Sequence, residues 1–366
     1  MGCFLWLKGG RQPNTTALSL VDEHHPLPLF VRELAAQVDD RTWKASGGWN
    51  AANAVEVLAR YAIATGDSRH MAIIDKVFER HQHASRQEFN DEAGWWALAW
   101  LQAYDLTGGH KYLTAAERLF EDMASSWDDF GRGGVWWTRQ PTYKNAITNE
   151  LFMLLSARLY GRTGKAVYKQ WALNAYAWFM QSGLMNDDNL INDGLDSNTR
   201  ENNGGPTWTH AQGVILGALV ELARTTDPKR HLEYLGVAFS IANAVMDRMV
   251  QSQDWPVLQE AAASRGLDCD ACQYKGVFVR YLSDLWAACG TDRQFVGIRR
   301  AFAEFVAFNA ACIALTAGNR HRIGFEWDAA RVAPGKPCDD CSASQTSGVD
   351  CLLADWVMNR VPDDVE

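Results

Sequence analysis

The chain has 366 residues, of which 47% are hydrophobic and 22% are charged. This is ordinary globular composition and is long enough to bury a large core, which excludes collagen-like, coiled-coil and low-complexity classes. The formal net charge is -9, with acidic and basic residues mixed along the chain. An acidic chain of this kind is poorly suited to phosphate backbones or anionic lipid, so we expect no nucleic acid partner.

Helical segments, taken in chain order, end in a recurring stop signal in which Gly or a polar turn follows the last apolar residue. The stops fall at residues 61–67, 104–109, 160–164, 222–227 and 287–292. Segments before the stops are apolar on nearly all sides, as at 95–106, 151–160 and 214–223, whereas segments after them are amphipathic, as at 111–123 and 231–249. Because helices that are apolar all round must be buried, this alternation predicts an inner ring of helices inside an outer ring.

The stops mark five hairpins, and the pattern predicts a sixth inner helix at 347–359 with the helix near 29–38 as its outer partner. We therefore predict an all-α fold, an (α/α)6 barrel of six hairpins. It forms a single domain over residues 1–366, with an irregular segment at 1–25. An open helical-repeat solenoid is the alternative, but the unequal repeat spacing and the all-round apolar inner helices disfavour it.

In such a ring the loops that enter the inner helices gather at one end, which we call the mouth. These loops, at 88–96, 127–137, 143–150 and 192–212, are rich in Gly, polar and Trp residues. The chain has 16 Trp against 15 Phe and 10 Tyr, although Trp is usually the rarest of the three. We assign about half of the Trp residues to the core and the rest to the mouth, where a flat indole can stack on a sugar.

Two adjacent carboxylates, Asp91 and Glu92, precede the Trp-rich inner helix at the mouth. Acidic residues in a first helical turn favour the helix dipole, and taken alone the pair is explained by that role. Glycosidic bond cleavage, however, needs one carboxylic acid and one carboxylate about the anomeric carbon. The segments 131–137, 145–150 and 192–212 add Gly, amide and indole groups at the same end, as polyol recognition requires. Together they favour a catalytic pair.

The run DEAGWWALAWLQAYDLTG, followed by GGVWW, YKNAITNELF, LINDGLD, NNGGPTWTHAQGVILGALVEL and CQYKGVFVRYL, resembles glycoside hydrolase family 76 over residues 47–353. The resemblance implies an endo-α-1,6-mannanase with an (α/α)6 barrel and a retaining mechanism. It places the nucleophile on Asp91 and the general acid/base on Glu92, where the family has a second Asp. A further departure is His210-Ala211, where the family often has an aromatic residue followed by Asn.

We expect the substrate, an α-1,6-linked mannan or mannooligosaccharide, to be bound by indole rings, amides and carboxylates of the mouth. These residues are Trp95, Trp96, Trp136, Trp137, Asn149, Glu150, Asp193, Asn203, Gly204, Trp208 and Gln212. No metal or cofactor is expected, because the His-containing segments lack further ligands at metal spacing. We also expect no membrane span, since no stretch approaches about 20 apolar residues, and a monomer.

Seven of the eight Cys lie after position 268. An even count in a clustered region is typical of disulfides in an oxidising compartment, which together with the family resemblance predicts an extracellular protein without a visible signal peptide. The two C-x-x-C pairs, Cys269/Cys272 and Cys338/Cys341, leave a structural zinc site as the minor alternative.

Three other functions keep the fold and change the chemistry. A transglycosidase would pass the glycosyl-enzyme to a sugar acceptor on cell-wall mannan or GPI glycans. A non-catalytic α-mannan-binding protein would result if Glu92 had disabled the site. A sugar epimerase would need catalytic His residues at the mouth, and only His210 is well placed. Product analysis on α-1,6-mannan separates these functions.

Overall fold

The structure, a computed structural model, describes residues 26–39, 48–81, 88–260, 270–318, 321–328 and 342–360. Within them, helices alternate between an inner and an outer ring, and one hairpin joins β1 (Val250–Ser252) to β2 (Trp255–Leu258). The inner helices are α2 (Trp49–Thr65), α4 (Asn90–Thr107), α6 (Ala146–Thr163), α8 (Thr209–Arg224), α10 (Ala271–Ala288) and α12 (Ser342–Met358). The outer helices are α1 (Leu27–Asp39), α3 (Met71–His81), α5 (His110–Ala124), α7 (Ala166–Ser182), α9 (Pro228–Arg248) and α11 (Val296–Ala317).

The ring closes on itself. Each inner helix packs along the next, from α2 through α12, and α12 packs in turn against α2. Helix α1 packs on α12, which confirms the prediction that the N-terminal helix is the outer partner of the sixth inner helix. The predicted (α/α)6 barrel is therefore confirmed, although α12 begins five residues earlier than the pattern indicated. The predicted irregular segment 1–25 lies outside the described residues.

The inner helices are buried on nearly all sides and the outer helices on one face, as their sequence patterns predict. Nearly every residue of α6 is buried, whereas α5 buries only one stripe, Tyr112, Ala115, Ala116, Phe120 and Met123. The stop signals work as expected, because Gly108 ends α4 in the left-handed conformation and its N–H donates to the carbonyl of Tyr104 at 2.7 Å. Gly66 and Gly164 end α2 and α6 in the same way.

Glycines let neighbouring inner helices approach closely. A methyl group on Gly213 of α8 would lie 2.6 Å from the Cα atom of Phe278 in α10. One on Gly276 of α10 would lie 2.4 Å from the Cα atom of Ser347 in α12. Since the obstructing atoms are backbone, any side chain at either glycine would force the helices apart.

A buried ion-pair network fills the barrel about halfway along the inner helices, below the mouth. The guanidinium of Arg280 donates to both carboxylate oxygens of Asp350, at 2.8 and 2.6 Å, and to Glu56 at 2.8 Å. Arg158 donates to the other oxygen of Glu56 at 3.2 Å. Burial opposes ionisation of Glu56, but Arg280, Arg158 and Arg60 together outweigh it and hold its pKa below the usual range. The network joins α2, α6, α10 and α12 through groups that are costly to leave unpaired.

Contrary to the expectation from the sequence, one segment of the described chain, Arg293–Ala317, is long and apolar enough to cross a membrane by length and composition. In the fold it contains the outer helix α11, which packs against α10, α12 and the β-hairpin. Core helices of barrels reach the same composition, so this is weak support for a membrane span.

The cysteines of the described residues give no disulfide. Cys289, Cys312 and Cys351 are buried thiols, and burial raises the pKa of each. Of the four cysteines in the predicted C-x-x-C pairs, only Cys272 lies within the described residues, so the disulfide and zinc hypotheses stay untested.

Candidate active site

Amide side chains of three inner helices hold the loops of the mouth in place. Each is the fourth residue of its helix. Its side-chain oxygen accepts from a backbone N–H of a loop, and its side-chain nitrogen donates to a backbone C=O of the same loop. The pairs are Asn149 with Val135, Gln212 with Ile191, and Gln345 with Ile323 and His321. Asn149 and Gln212, predicted as sugar contacts, are fully buried and engaged by backbone, so they anchor loops and offer no group to a ligand.

Asp91, in the first turn of α4, is partly buried and doubly hydrogen-bonded. Its Oδ2 accepts from the indole N–H of Trp137 at 2.9 Å, and its Oδ1 accepts from the backbone N–H of Glu92 at 2.9 Å. Burial raises the pKa of Asp91 to about 7, although the Trp137 hydrogen bond works in the opposite direction. Asp91 is thus held in one orientation and titrates near neutrality.

Glu92 lies in different surroundings from its neighbour. It is partly buried, and burial raises the pKa of its carboxyl, to which the negative charge of Asp270 adds. Asp270 precedes α10 and accepts from the indole N–H of Trp49, at the start of α2, at 2.8 Å. Both carboxyls therefore have raised pKa values, and Asp91 differs in that the Trp137 and backbone N–H groups fix it as a hydrogen-bond acceptor, which suits a nucleophile.

Trp137 is itself supported by a hydrogen-bonded wall. Its ring packs against that of Tyr143, with centroids 6.2 Å apart, and the Tyr143 hydroxyl donates to Asp193 Oδ2 at 2.5 Å. The other oxygen of Asp193 accepts from the indole N–H of Trp208 at 2.9 Å. Asn203 donates to the Tyr143 hydroxyl at 2.8 Å. Of the predicted contacts, Trp137, Asp193, Asn203 and Trp208 are thereby brought together in one wall.

Aromatic rings line the opposite side of the mouth. The ring of Trp49 lies 5.5 Å from that of Trp95, 5.7 Å from that of Tyr274 and 6.5 Å from that of His210. Trp208 contacts Tyr274 at 5.6 Å, which joins this side to the Asp193 wall. Trp95 follows Asp91 by four residues and so shares its face of α4.

Four of these groups were missed in the sequence, Trp49, Tyr143, Asp270 and Tyr274. The Gly-Gly pair before Trp49 and the position of Tyr274 in the CQYKG motif were the available signals.

Trp96 is a core residue, and the prediction that it stacks on sugar is wrong. Its ring is stacked between His81 of α3, at 4.3 Å, and Trp100 one turn further along α4, at 5.1 Å. With both faces covered and 2% of its surface exposed, it has nothing to offer a ligand.

The glycines of the loop at 131–137 pack closely on indole rings of the protein. Gly133 and Gly134 have positive φ, and a methyl group on either would lie 2.7 Å from an indole atom, of Trp127 and Trp178 respectively. Both glycines are therefore needed for close packing of the loop. Trp136 lies at the outer rim, where its N–H donates to an exposed carboxylate, Asp128, at 2.8 Å and a lysine ammonium lies over its ring.

Two further predicted contacts differ in accessibility. Gly204 is exposed at the rim in the left-handed conformation. Glu150 is fully buried, and neither carboxylate oxygen has a hydrogen-bond partner among the described residues. Burial raises the pKa of Glu150 well above its ordinary value, so it is held neutral inside α6.

Fold and mouth together define a protein of the (α/α)6-barrel class whose mouth is lined by carboxylates, amides and indole rings. The family model described as glycosyl hydrolase family 76 matches residues 33–344, and the chain belongs to that family.

Curated relatives carry mannosidase names. The chain is similar to mannan endo-1,6-alpha-mannosidase DCW1 of Saccharomyces cerevisiae, 26% identical over 345 residues that cover 86% of this chain and 67% of the relative. DCW1 of Eremothecium gossypii is 27% identical over 265 residues, covering 66% of this chain and 55% of the relative. The chain spans about half the length of two relatives, with 46% of a putative mannan endo-1,6-alpha-mannosidase of Schizosaccharomyces pombe and 55% of DCW1 of E. gossypii covered.

Solved structures share the barrel. An α-1,6-mannanase of a Salegentibacter species, with α-1,6-mannotriose bound, is 23% identical with a TM-score of 0.77, covering 91% of this chain and 99% of that chain. Dfg5 of Chaetomium thermophilum, in complex with glucosamine, is 18% identical with a TM-score of 0.73, and the match covers 93% of this chain and 92% of that chain. At these identities the likeness establishes the fold alone.

Proposed function

We propose that this protein is a retaining glycoside hydrolase that cleaves α-1,6-mannosidic linkages in mannan through a glycosyl-enzyme. The observation that carries the proposal is the contrast within the carboxylate pair. In Asp91 the hydrogen bonds from Trp137 and from backbone oppose the rise in pKa that burial causes, whereas in Glu92 burial and the charge of Asp270 both raise the pKa. Support comes from the mannosidase names of relatives and from the Salegentibacter structure, an inactive variant in which two consecutive aspartates are replaced by asparagine.

In the first step, ionised Asp91 attacks the anomeric carbon while Glu92 protonates the glycosidic oxygen. The C–O bond to the leaving sugar breaks, an ester to Asp91 forms, and the proton of Glu92 leaves on the new hydroxyl. The Trp137 N–H fixes Oδ2 of Asp91, so Oδ1 is the oxygen with freedom to attack once its contact with the Glu92 N–H lengthens.

In the second step, Glu92 is ionised and takes a proton from water as that water attacks the anomeric carbon. The ester bond breaks, Asp91 departs as a carboxylate, and the first protonation state is restored. Because the charge of Glu92 raises the pKa of Asp91, the two carboxyls titrate as a pair, and the mechanism uses the form of the pair in which the single proton is on Glu92.

Substrate binding is assigned to the two walls of the mouth. Trp49 and Tyr274, which are partly exposed, offer apolar surface to sugar rings, while Asp193 and Asn203 offer polar groups to hydroxyls. Trp95, a predicted sugar contact, is 3% exposed and supports Trp49 from behind. Cleavage of a mannan polymer suits an extracellular monomer, and both properties belong to the proposal. No metal or cofactor is needed for either step.

The transglycosidase and the non-catalytic binding protein are the alternatives. The aromatic side of the mouth offers a surface on which an acceptor sugar, in place of water, could bind and attack the glycosyl-enzyme. This observation favours the transglycosidase over the binding protein.

Product-size analysis after incubation with α-1,6-mannotetraose tests the proposal. Shorter oligosaccharides are expected from the unchanged protein, none from Asp91→Asn, and undiminished amounts from Glu233→Gln, an exposed control on outer helix α9. Longer oligosaccharides would replace the proposal with transglycosylation, and binding without turnover would replace it with a non-catalytic function.

A further inference from the structure

His210, the second residue of inner helix α8, has an unpartnered ring nitrogen in the wall of the mouth. The side chain is 7% exposed, and its Nδ1 is shielded from solvent without a hydrogen-bond partner among the described residues. Buried polar atoms are normally paired, so an orphaned one calls for an explanation. His231 shows the ordinary arrangement, since its Nδ1 lies 3.0 Å from the carbonyl oxygen of Ala223.

The ring of His210 is held in one plane by its neighbours. It is stacked on Tyr274 with centroids 3.8 Å apart and planes inclined by 18°, and Trp49 lies 6.5 Å away. Stacking needs only a flat ring, which Phe would supply equally well. A nitrogen at this position therefore adds something that packing alone does not require.

The nitrogen is suited to a hydroxyl. Burial lowers the pKa of His210 to about 3, so the imidazole is neutral at physiological pH. A neutral imidazole has one nitrogen that donates and one that accepts, and a sugar hydroxyl can meet either. An anion or a metal ion would instead need charged or further liganding groups, and the described residues contain no group of three or more His, Cys, Asp or Glu able to hold a metal.

His210 also belongs to the same mouth as the carboxylate pair. Trp49 contacts both His210 and Trp95, and Trp95 lies one helical turn beyond Asp91. A sugar chain that reaches Asp91 along the aromatic side would therefore pass the His210 edge.

We propose that His210 is a specificity-determining residue whose orphaned Nδ1 hydrogen-bonds a ring hydroxyl of a mannosyl unit adjacent to the one cleaved. This rests on the proposed function.

Affinity for α-1,6-mannotetraose, measured by calorimetry in an Asp91→Asn background, tests the inference. His210→Phe keeps the stack on Tyr274 and removes the nitrogen, so the Kd should rise about 10- to 100-fold, as when a site loses a matched hydrogen bond. His210→Gln retains an amide that can reach the hydroxyl and should recover part of that loss. The unfolding midpoint of His210→Phe should equal or exceed that of the parent, because an unpaired buried polar atom has been removed.

The outcomes separate the two proposals. If the Asp91→Asn parent does not bind mannotetraose, the proposed function is overturned. If the parent binds and His210→Phe binds equally well, the inference about His210 is overturned and the function stands. If His210→Phe and His210→Gln lose affinity and stability alike, His210 has a structural role and the inference again fails.

Discussion

Replacing Trp137 with Phe isolates the hydrogen bond that orients Asp91. Phe keeps a ring beside Tyr143 and removes the N–H that donates to Oδ2 at 2.9 Å. A hydrogen bond to a charged group contributes about 1.5–3 kcal/mol, and one pKa unit corresponds to about 1.4 kcal/mol. The pKa of Asp91, already raised to about 7 by burial, should therefore rise by about one to two units further.

The kinetic consequence is largest at and below neutral pH. An Asp91 that is about half ionised at pH 7 becomes at most about one-tenth ionised, so kcat/KM there should fall about 5- to 50-fold. The acidic limb of the kcat/KM profile on α-1,6-mannotetraose should move to higher pH, and the deficit should shrink as the pH rises.

Trp136→Phe is the matched control for this variant. It removes the neighbouring indole N–H, which donates to Asp128 at the outer rim and not to the catalytic pair. Its acidic limb should coincide with that of the unchanged protein. A Trp137→Phe profile that coincides with the unchanged one, both in its acidic limb and in kcat/KM at pH 6, would refute the role given to this hydrogen bond.

Three further variants test other parts of the account. Glu92→Gln keeps the side-chain length but cannot transfer a proton, so kcat on mannan should fall about 10²- to 10⁴-fold while the Kd for oligosaccharide changes little. Glu150→Gln should be more stable than the parent in urea at pH 8 and not at pH 4. The pKa of Glu150 is raised in the folded state, so the parent loses stability as the pH rises above about 4.3. Arg280→Met leaves Glu56 and Asp350 buried without their main counter-charge, and the free energy of unfolding should fall by about 3–5 kcal/mol.

Each of these has a contradicting result. Undiminished kcat in Glu92→Gln would remove that residue from catalysis. A stability difference for Glu150→Gln that does not depend on pH would mean that the carboxyl is not held neutral by burial. An unchanged urea midpoint in Arg280→Met would show that the ion-pair network is not important for stability.

The ring itself was predictable because its cause is local in the sequence. Helices α4 and α6 are apolar on all faces and α5 is not, so their layers follow from burial alone. The left-handed glycines mark helix ends for a stereochemical reason that needs no tertiary information. The position of Asp91 and Glu92 at the mouth was predictable as well, because both lie in the first turn of an inner helix.

Which side chains face the mouth was less predictable. Trp95 and Trp96 are neighbours in the chain and both are buried, yet about 100° of helical rotation packs one against Trp49 at the mouth and the other against His81 of outer helix α3. No local pattern fixes how a helix is rotated within the ring. Trp49 and Asp270 are paired across 221 residues, which only the closed ring brings together.

The retaining mechanism is tested most directly by the anomeric configuration of the first product. Hydrolysis of α-1,6-mannotetraose can be followed by proton NMR before mutarotation is complete, with Asp91→Asn as the inactive reference. Double displacement through Asp91 predicts that the α-anomer appears first and that Asp91→Asn releases no product. A β-anomer that appears first, or undiminished release by Asp91→Asn, would contradict the central claim.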